Sequence, residues 1–139
     1  MKYGNITIEK KDFVYLKSIL KVAGFDNNRE TRDSLQKLES ELQTAIVVDE
    51  QEMPEDVIRF NSKISLNIDG NQKFEVQLVK PALKDLEKNR ISILTPMGSA
   101  LIGYAKGDQL MWKFPNGLKK ITILEVAHDN LYAKERLAV

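Results

Sequence analysis

"LTPMGSALIGYAKGD", residues 94–108, holds a Thr-Pro, three glycines and an apolar run within fifteen positions, and its reading decides the fold. As a ligand loop it fails, because the glycines lack phosphate-loop spacing and the chain contains neither GxxxxGK[ST] nor GxGxxG. As punctuation it works. Thr95 can cap a helix, and Pro96 falls at the first helical position, where a missing N–H costs nothing. Met97, Ala100 and Leu101 share one face at i, i+3, i+4 spacing. Gly103 stands where a left-handed residue ends a helix, and Lys106-Gly107-Asp108 turns the chain into a strand.

On both sides of this short helix the apolar period is two. Downstream, "QLMWKF" sets Leu110, Trp112 and Phe114 on one face, Pro115-Asn116-Gly117 is a tight turn, and "LKKITILEVAH" is the last strand. That strand is apolar on both its Ile121/Ile123 and Leu124/Val126 faces, as expected for burial on two sides. The tail from Asp129 reads as a loosely held end. Upstream, "RISIL" (residues 90–94) is a strand. "SKISLNIDGNQKFEVQLV" (residues 62–79) alternates Ile64, Leu66, Ile68 and then Phe74, Val76, Leu78 about Asp69-Gly70, a hairpin signal.

The first third reads as helix. Phe13, Leu16, Leu20 and Ala23 recur at 3-4-3 spacing, and Leu35, Leu38, Leu42 and Ala45 repeat it. Between them the polar "AGFDNNRETRDS" breaks the pattern, with Asp33 as N-cap and Gln36 completing a capping-box-like pair. The result is an antiparallel helical hairpin with arms of roughly 14 residues, about 20 Å long. "VVDEQEMPEDVIRF" (residues 47–60) is an acidic joint in which Pro54 starts a short helical turn. The expected class is α+β, with residues 1–50 as the hairpin and residues 51–139 as a lobe that folds by itself. That lobe should be a roughly five-stranded antiparallel sheet with one short helix.

Bulk properties exclude several functions. The 139 residues carry 21 Lys and Arg against 20 Asp and Glu, so no net field favours nucleic acid or an anionic membrane. Without cysteine there is no disulfide, thiolate metal site or cysteine nucleophile. No apolar run reaches membrane-spanning length, and no signal-peptide core is present. A cytoplasmic monomer without cofactor or metal, binding no nucleic acid on its own, is expected.

The order strand–Thr-Pro–helix–Leu-Ile-Gly–Gly-Asp–strand–Pro-x-Gly–strand, from Ile91 to Val126, resembles the C-terminal domain of the Gre transcript-cleavage factors. Joined to "EMPEDVIRFNSKI", it is most similar to the short-hairpin members of that family, the regulators of nucleoside diphosphate kinase. The resemblance implies an FKBP-like sheet lobe and a coiled-coil hairpin. It also implies docking on bacterial RNA polymerase at the rim of the secondary channel of the large subunit. The docking block falls on Leu94, Thr95, Pro96, Met97 and Gly98. Cleavage factors carry an acidic residue just before their Ser-Pro, where this chain has Leu94. They also hold a metal through a Gly-Asp…Glu-Asn pattern at the hairpin tip. Here the tip offers Asp26, Glu30 and Asp33, with Arg29 and Arg32 interleaved to compete for the carboxylates.

The expected role is therefore a non-catalytic regulator of transcription that binds RNA polymerase and competes with Gre cleavage factors; it is not itself an enzyme. The rival is a factor that stimulates transcript cleavage through the tip carboxylates, chiefly Asp26 and Glu30. A prolyl isomerase is the third reading, resting on fold alone. Trp112 is expected in the core. His128 has no ligand-spaced partner and reads as surface or structural. Lys113, Lys119 and Lys120 mark a solvated hairpin end, and Asp85, Glu87, Lys88 and Arg90 a loop.

Overall fold

The computed structural model describes residues 1–23, 28–114 and 117–128, with Phe114 as backbone. Asp26, Pro115-Asn116 and the tail from Asp129 lie outside the described residues. The chain runs β1 (Thr7–Glu9), α1 (Lys10–Ala23), α2 (Arg29–Leu42), β2 (Ile46–Val48), β3 (Ser62–Ile68) and β4 (Gln72–Val79). It continues through β5 (Arg90–Ser92), α3 (Pro96–Leu101), β6 (Gln109–Phe114) and β7 (Gly117–His128).

The two expected helical arms are present, each 14 residues long. Leu16 and Leu20 of α1 and Leu35, Leu38 and Leu42 of α2 are buried, while Phe13 and Ala23 pack from the edge. The helix starts differ from the sequence reading. α2 begins at Arg29, and its N-cap is Asn28, whose side chain accepts from the Thr31 N–H at 3.1 Å. Asp33 and Gln36 lie inside the helix, because Arg29 to Ser34, the described helical part of the polar run, already form the start of α2. α1 is capped by Glu9, whose carboxylate accepts from the Lys11 and Asp12 N–H groups at 2.8 and 3.1 Å and suits the positive end of the helix. The helical turn placed at Pro54 lies before it instead, as a 3-10 turn at Glu50–Glu52.

The main sheet has five strands in the order β5-β4-β3-β7-β6. It is mixed, not antiparallel throughout: β5 runs parallel to β4, with Leu78 opposite Ile91. Two 3-10 turns, Pro81–Leu83 and Leu86–Lys88, followed by Asn89 in a left-handed conformation, bring the chain back to the same end of the sheet. Of the expected loop, Asp85, Glu87 and Lys88 lie in this connection while Arg90 already begins β5, and reciprocal Asp85–Arg90 backbone bonds close it.

The double apolar pattern of β7 has a cause other than two-sided burial. β7 pairs with β3 through Ile68↔Ile121 and Leu66↔Ile123, but then through Ser65↔Glu125 and Ile64↔Val126. One extra residue, Leu124, sits in β7 at this shift. Such a β-bulge reverses the phase of alternation. Ile121, Ile123 and Val126 thus all meet the buried Ile68, Leu66 and Ile64 on one face.

A second sheet escaped the sequence reading: β1 and β2 pair in parallel, with Thr7 opposite Ile46. β1 is buried throughout and lies between β2 and residue 103, since the Thr7 N–H donates to the Gly103 carbonyl at 3.1 Å. Gly103 has φ +84, as its position after α3 requires, and a Cβ there would sit 2.6 Å from Ile6 Cβ. One apolar cluster takes in Ile6 and Ile8, the five helix leucines, and Ile64, Leu66, Leu101, Ile102 and Ile123. The helix pair and the sheet lobe therefore share a core.

Candidate partner-docking surface

Ser92, the last residue of β5, organises the turn that starts α3. Its hydroxyl accepts from the Leu94 N–H at 3.0 Å. Its carbonyl accepts from the Thr95 N–H at 3.0 Å and from the Thr95 hydroxyl at 2.7 Å. The same Thr95 Oγ1 accepts from the Gly98 N–H at 3.1 Å, so one hydroxyl ties strand end and helix start together. Pro96 occupies the first helical position. Gly98 is buried, and a Cβ there would lie 2.2 Å from the Ser92 carbonyl oxygen. Its part is to let the turn close. Leu94, Thr95, Pro96 and Met97 are half-buried, and Leu94 and Met97 each lay one side on the core. The buried members of α3 are Gly98, Ser99 and Leu101; Met97 and Ala100 stand only partly covered, a rotation from the face expected.

The helix tip is a different kind of place. Glu30 in the first turn of α2 and Asp33 one turn on are exposed, as are Arg29 and Arg32. Among the described residues no three His, Cys, Asp or Glu side chains gather as a metal would need. Near its other end α2 reaches the segment after α3, where the Tyr104 hydroxyl donates to Glu41 at 3.1 Å. Glu30 is eleven residues from Glu41, about 16 Å along the helix axis. Glu30 and the Tyr104 contact thus stand at opposite ends of α2.

Polar ties that the sequence reading missed fix the helix pair to the lobe. Arg59, the only cation of the acidic joint, makes a paired contact with Glu50 at 2.9 and 2.6 Å and stands 3.7 Å from Asp12. Burial pushes the Asp12 carboxyl above its usual range, against the pull of Arg59. Lys80 Nζ lies 4.5 Å from the centre of the Tyr15 ring, which meets Phe60 edge-on at 5.4 Å. Burial pushes the Tyr104 hydroxyl up to about 12, with Glu41 adding to it, and burial also raises Glu41 against the pull of that bond. Asp56 accepts from Lys2 and Tyr3; burial works upward on it, but those bonds win and hold it below the carboxylate norm. The signal for the Arg59 tie was present as a lone cation among acids. Lys80 and Tyr15, far apart in sequence, gave none.

The remaining candidates are structural. His128 donates from Nε2 to the Glu55 carbonyl at 2.7 Å, and its Nδ1 accepts from the Ser62 hydroxyl at 3.1 Å. Trp112 packs half-buried against the core. Lys113 and Lys120 are exposed and Lys119 half-buried at the β6–β7 hairpin. No helix among the described residues is long and apolar enough to cross a membrane.

Residues 53–128 match the family model described as transcription elongation factor GreA/GreB, C-terminal. The transcription elongation factor GreA of Clostridium botulinum (strain Eklund 17B) is 34% identical over 97 residues, 69% of this chain and 61% of that protein. The chain thus spans about three-fifths of the length of that relative. The regulator of nucleoside diphosphate kinase of Escherichia coli K12 is 34% identical over 94 residues, 66% of this chain and 69% of that protein. A solved structure, the prokaryotic transcription elongation factor GreA/GreB from Nitrosomonas europaea, superposes with a TM-score of 0.73 at 33% identity. That match covers 89% of this chain and 98% of the other. It reaches past the C-terminal block into the helix pair, and with the family match over more than half of the sequence it settles the kinship: the chain belongs to the GreA/GreB family.

Proposed function

We propose that this chain binds bacterial RNA polymerase at the rim of the secondary channel and regulates transcription without stimulating transcript cleavage. The observation that carries the reading is the family match over residues 53–128, which includes the rigid, half-exposed turn of Leu94, Thr95, Pro96 and Met97. Residues 51–139 hold the polymerase in this reading, and residues 1–50 point into the channel. Arg29 and Arg32 beside Glu30 and Asp33 favour a non-catalytic tip, since fixed cations oppose recruitment of a metal ion. Arms of about 20 Å also limit reach.

The test pairs binding with cleavage. Met97→Glu places a charge in an apolar contact and is expected to weaken polymerase affinity by about tenfold or more in protein that still melts cooperatively. Wild-type protein is expected to release no short RNA from a backtracked complex at ordinary Mg²⁺. Unchanged affinity in a folded Met97→Glu variant removes this surface. A cleavage product that disappears on Asp26→Ala with Glu30→Ala establishes the cleavage-factor reading instead.

A further inference from the structure

β6 ends the five-stranded sheet, and one of its two edges faces no described strand. The Ile123 N–H donates to the Asp108 carbonyl at 2.9 Å, which sets the parity of the β6–β7 ladder. Leu110, Trp112 and Phe114 therefore turn their backbone groups toward β7, and Gln109, Met111 and Lys113 turn theirs outward. No described residue bonds to that outer edge. Its side chains are also open: Met111 is 58% exposed. Leu118, opposite Lys113 in the ladder and so diagonal to Met111 on the same face, is 68% exposed.

An open edge with an exposed apolar residue at its middle is a template for strand addition. Edges are ordinarily guarded by prolines, bulges or inward charges, yet residues 109–113 contain only Lys113 as a guard, at one end. The arrangement is self-complementary. In an antiparallel pairing of two such edges, only one register engages all three outward residues on both sides. It sets Met111 against Met111 of the second copy and Gln109 against Lys113 at each end. Lysine then meets a neutral amide and never another lysine. Each opposed pair exchanges two bonds, so three pairs give about six interchain hydrogen bonds.

We propose that two copies of this chain associate antiparallel along β6, with Met111 on the two-fold axis, to form one continuous sheet. Three residues a side make a small interface, so the dimer belongs to high protein concentration. The contact stands apart from the α3 turn and does not depend on the polymerase reading.

Sedimentation equilibrium of the full chain from about 10 μM to about 1 mM is expected to show a monomer–dimer equilibrium. Met111→Lys, an exposed and fold-neutral change, is expected to return it to monomer across that range. Register is read by crosslinking, which the absence of native cysteine makes clean. Oxidised Met111→Cys is expected to give a covalent dimer, since opposed Cα atoms lie about 5.5 Å apart. Gln109→Cys or Lys113→Cys alone is expected not to crosslink, because each is offset from its own copy by four residues, about 13 Å. A mixture of those two should crosslink. A wild-type monomer throughout the range, a dimer that survives Met111→Lys, or self-crosslinking of Lys113→Cys equal to that of Met111→Cys overturns the proposal.

Discussion

α2 and α3 both start on a capped turn, but the fold holds the two starts differently. At α3 the capping hydroxyl of Thr95 also bonds back to Ser92, Gly98 is pressed against that carbonyl, and Leu94 and Met97 lie on the core. At α2 the Asn28 cap opens a turn whose Arg29, Glu30 and Arg32 all face solvent. A partner can read the first by shape, since the shape is fixed before contact and little ordering entropy is lost. It can read the second only by charge, which salt screens.

The sharpest way to break this contrast is at Gly98. Gly98→Ala drives a methyl into the Ser92 carbonyl and is expected to cost about 3 kcal/mol or more, read as a large drop in the thermal melt. A wild-type melt would mean that the turn yields, and that its shape is no more fixed than the tip. The two caps come next. Thr95→Ala is expected to lose about 1–2 kcal/mol, and Asn28→Ala, in solvent, about 1 kcal/mol or less; denaturant titrations giving equal losses would erase the difference.

Tyr104→Phe probes the joint between the two regions and should cost about 1 kcal/mol at neutral pH. Its signature is in alkali. The folded chain keeps the Tyr104 proton to about pH 12, whereas an unfolded tyrosine gives it up near 10. Stability from this group is thus whole below pH 10 and lost as pH rises toward 12. Wild type should show that decline and Tyr104→Phe a shallower one, since burial also raises Tyr15. The smallest effect belongs to the tip. Glu30→Ala with Asp33→Ala should move stability by no more than about 0.5 kcal/mol, as judged by the same melts.

The α3 turn was legible because every device in it is local. Thr95, Pro96 and Gly103 each act within about one helical turn, and all three do what their chemistry suggests. The helix stripes were legible for the same reason. What escaped depends on distance or on one residue too many. β1 and β2 are three residues each, too short for a period to appear, and they are strands only because they find one another and Gly103. Leu124 hides a bulge, since a phase change in an apolar run looks like two-sided burial until the partner strand is known. The direction of β5 was set by two 3-10 turns that carry no apolar pattern. At the candidate surface, Leu94 to Met97 came from the family resemblance, and the burial of Gly98 beneath them required Ser92 to be placed.

The seat of β1 also sets an order of events at the ribosome. Ile6 and Ile8 leave the exit tunnel long before Ile46 and Gly103, yet those are the residues that close over them. The nascent chain must therefore carry two isoleucines with one side uncovered until Gly103 is made. Such an uncovered strand is a ready substrate for chaperones and for wrong pairing between neighbouring polysomal chains. Slowing translation before Gly103 lengthens that interval.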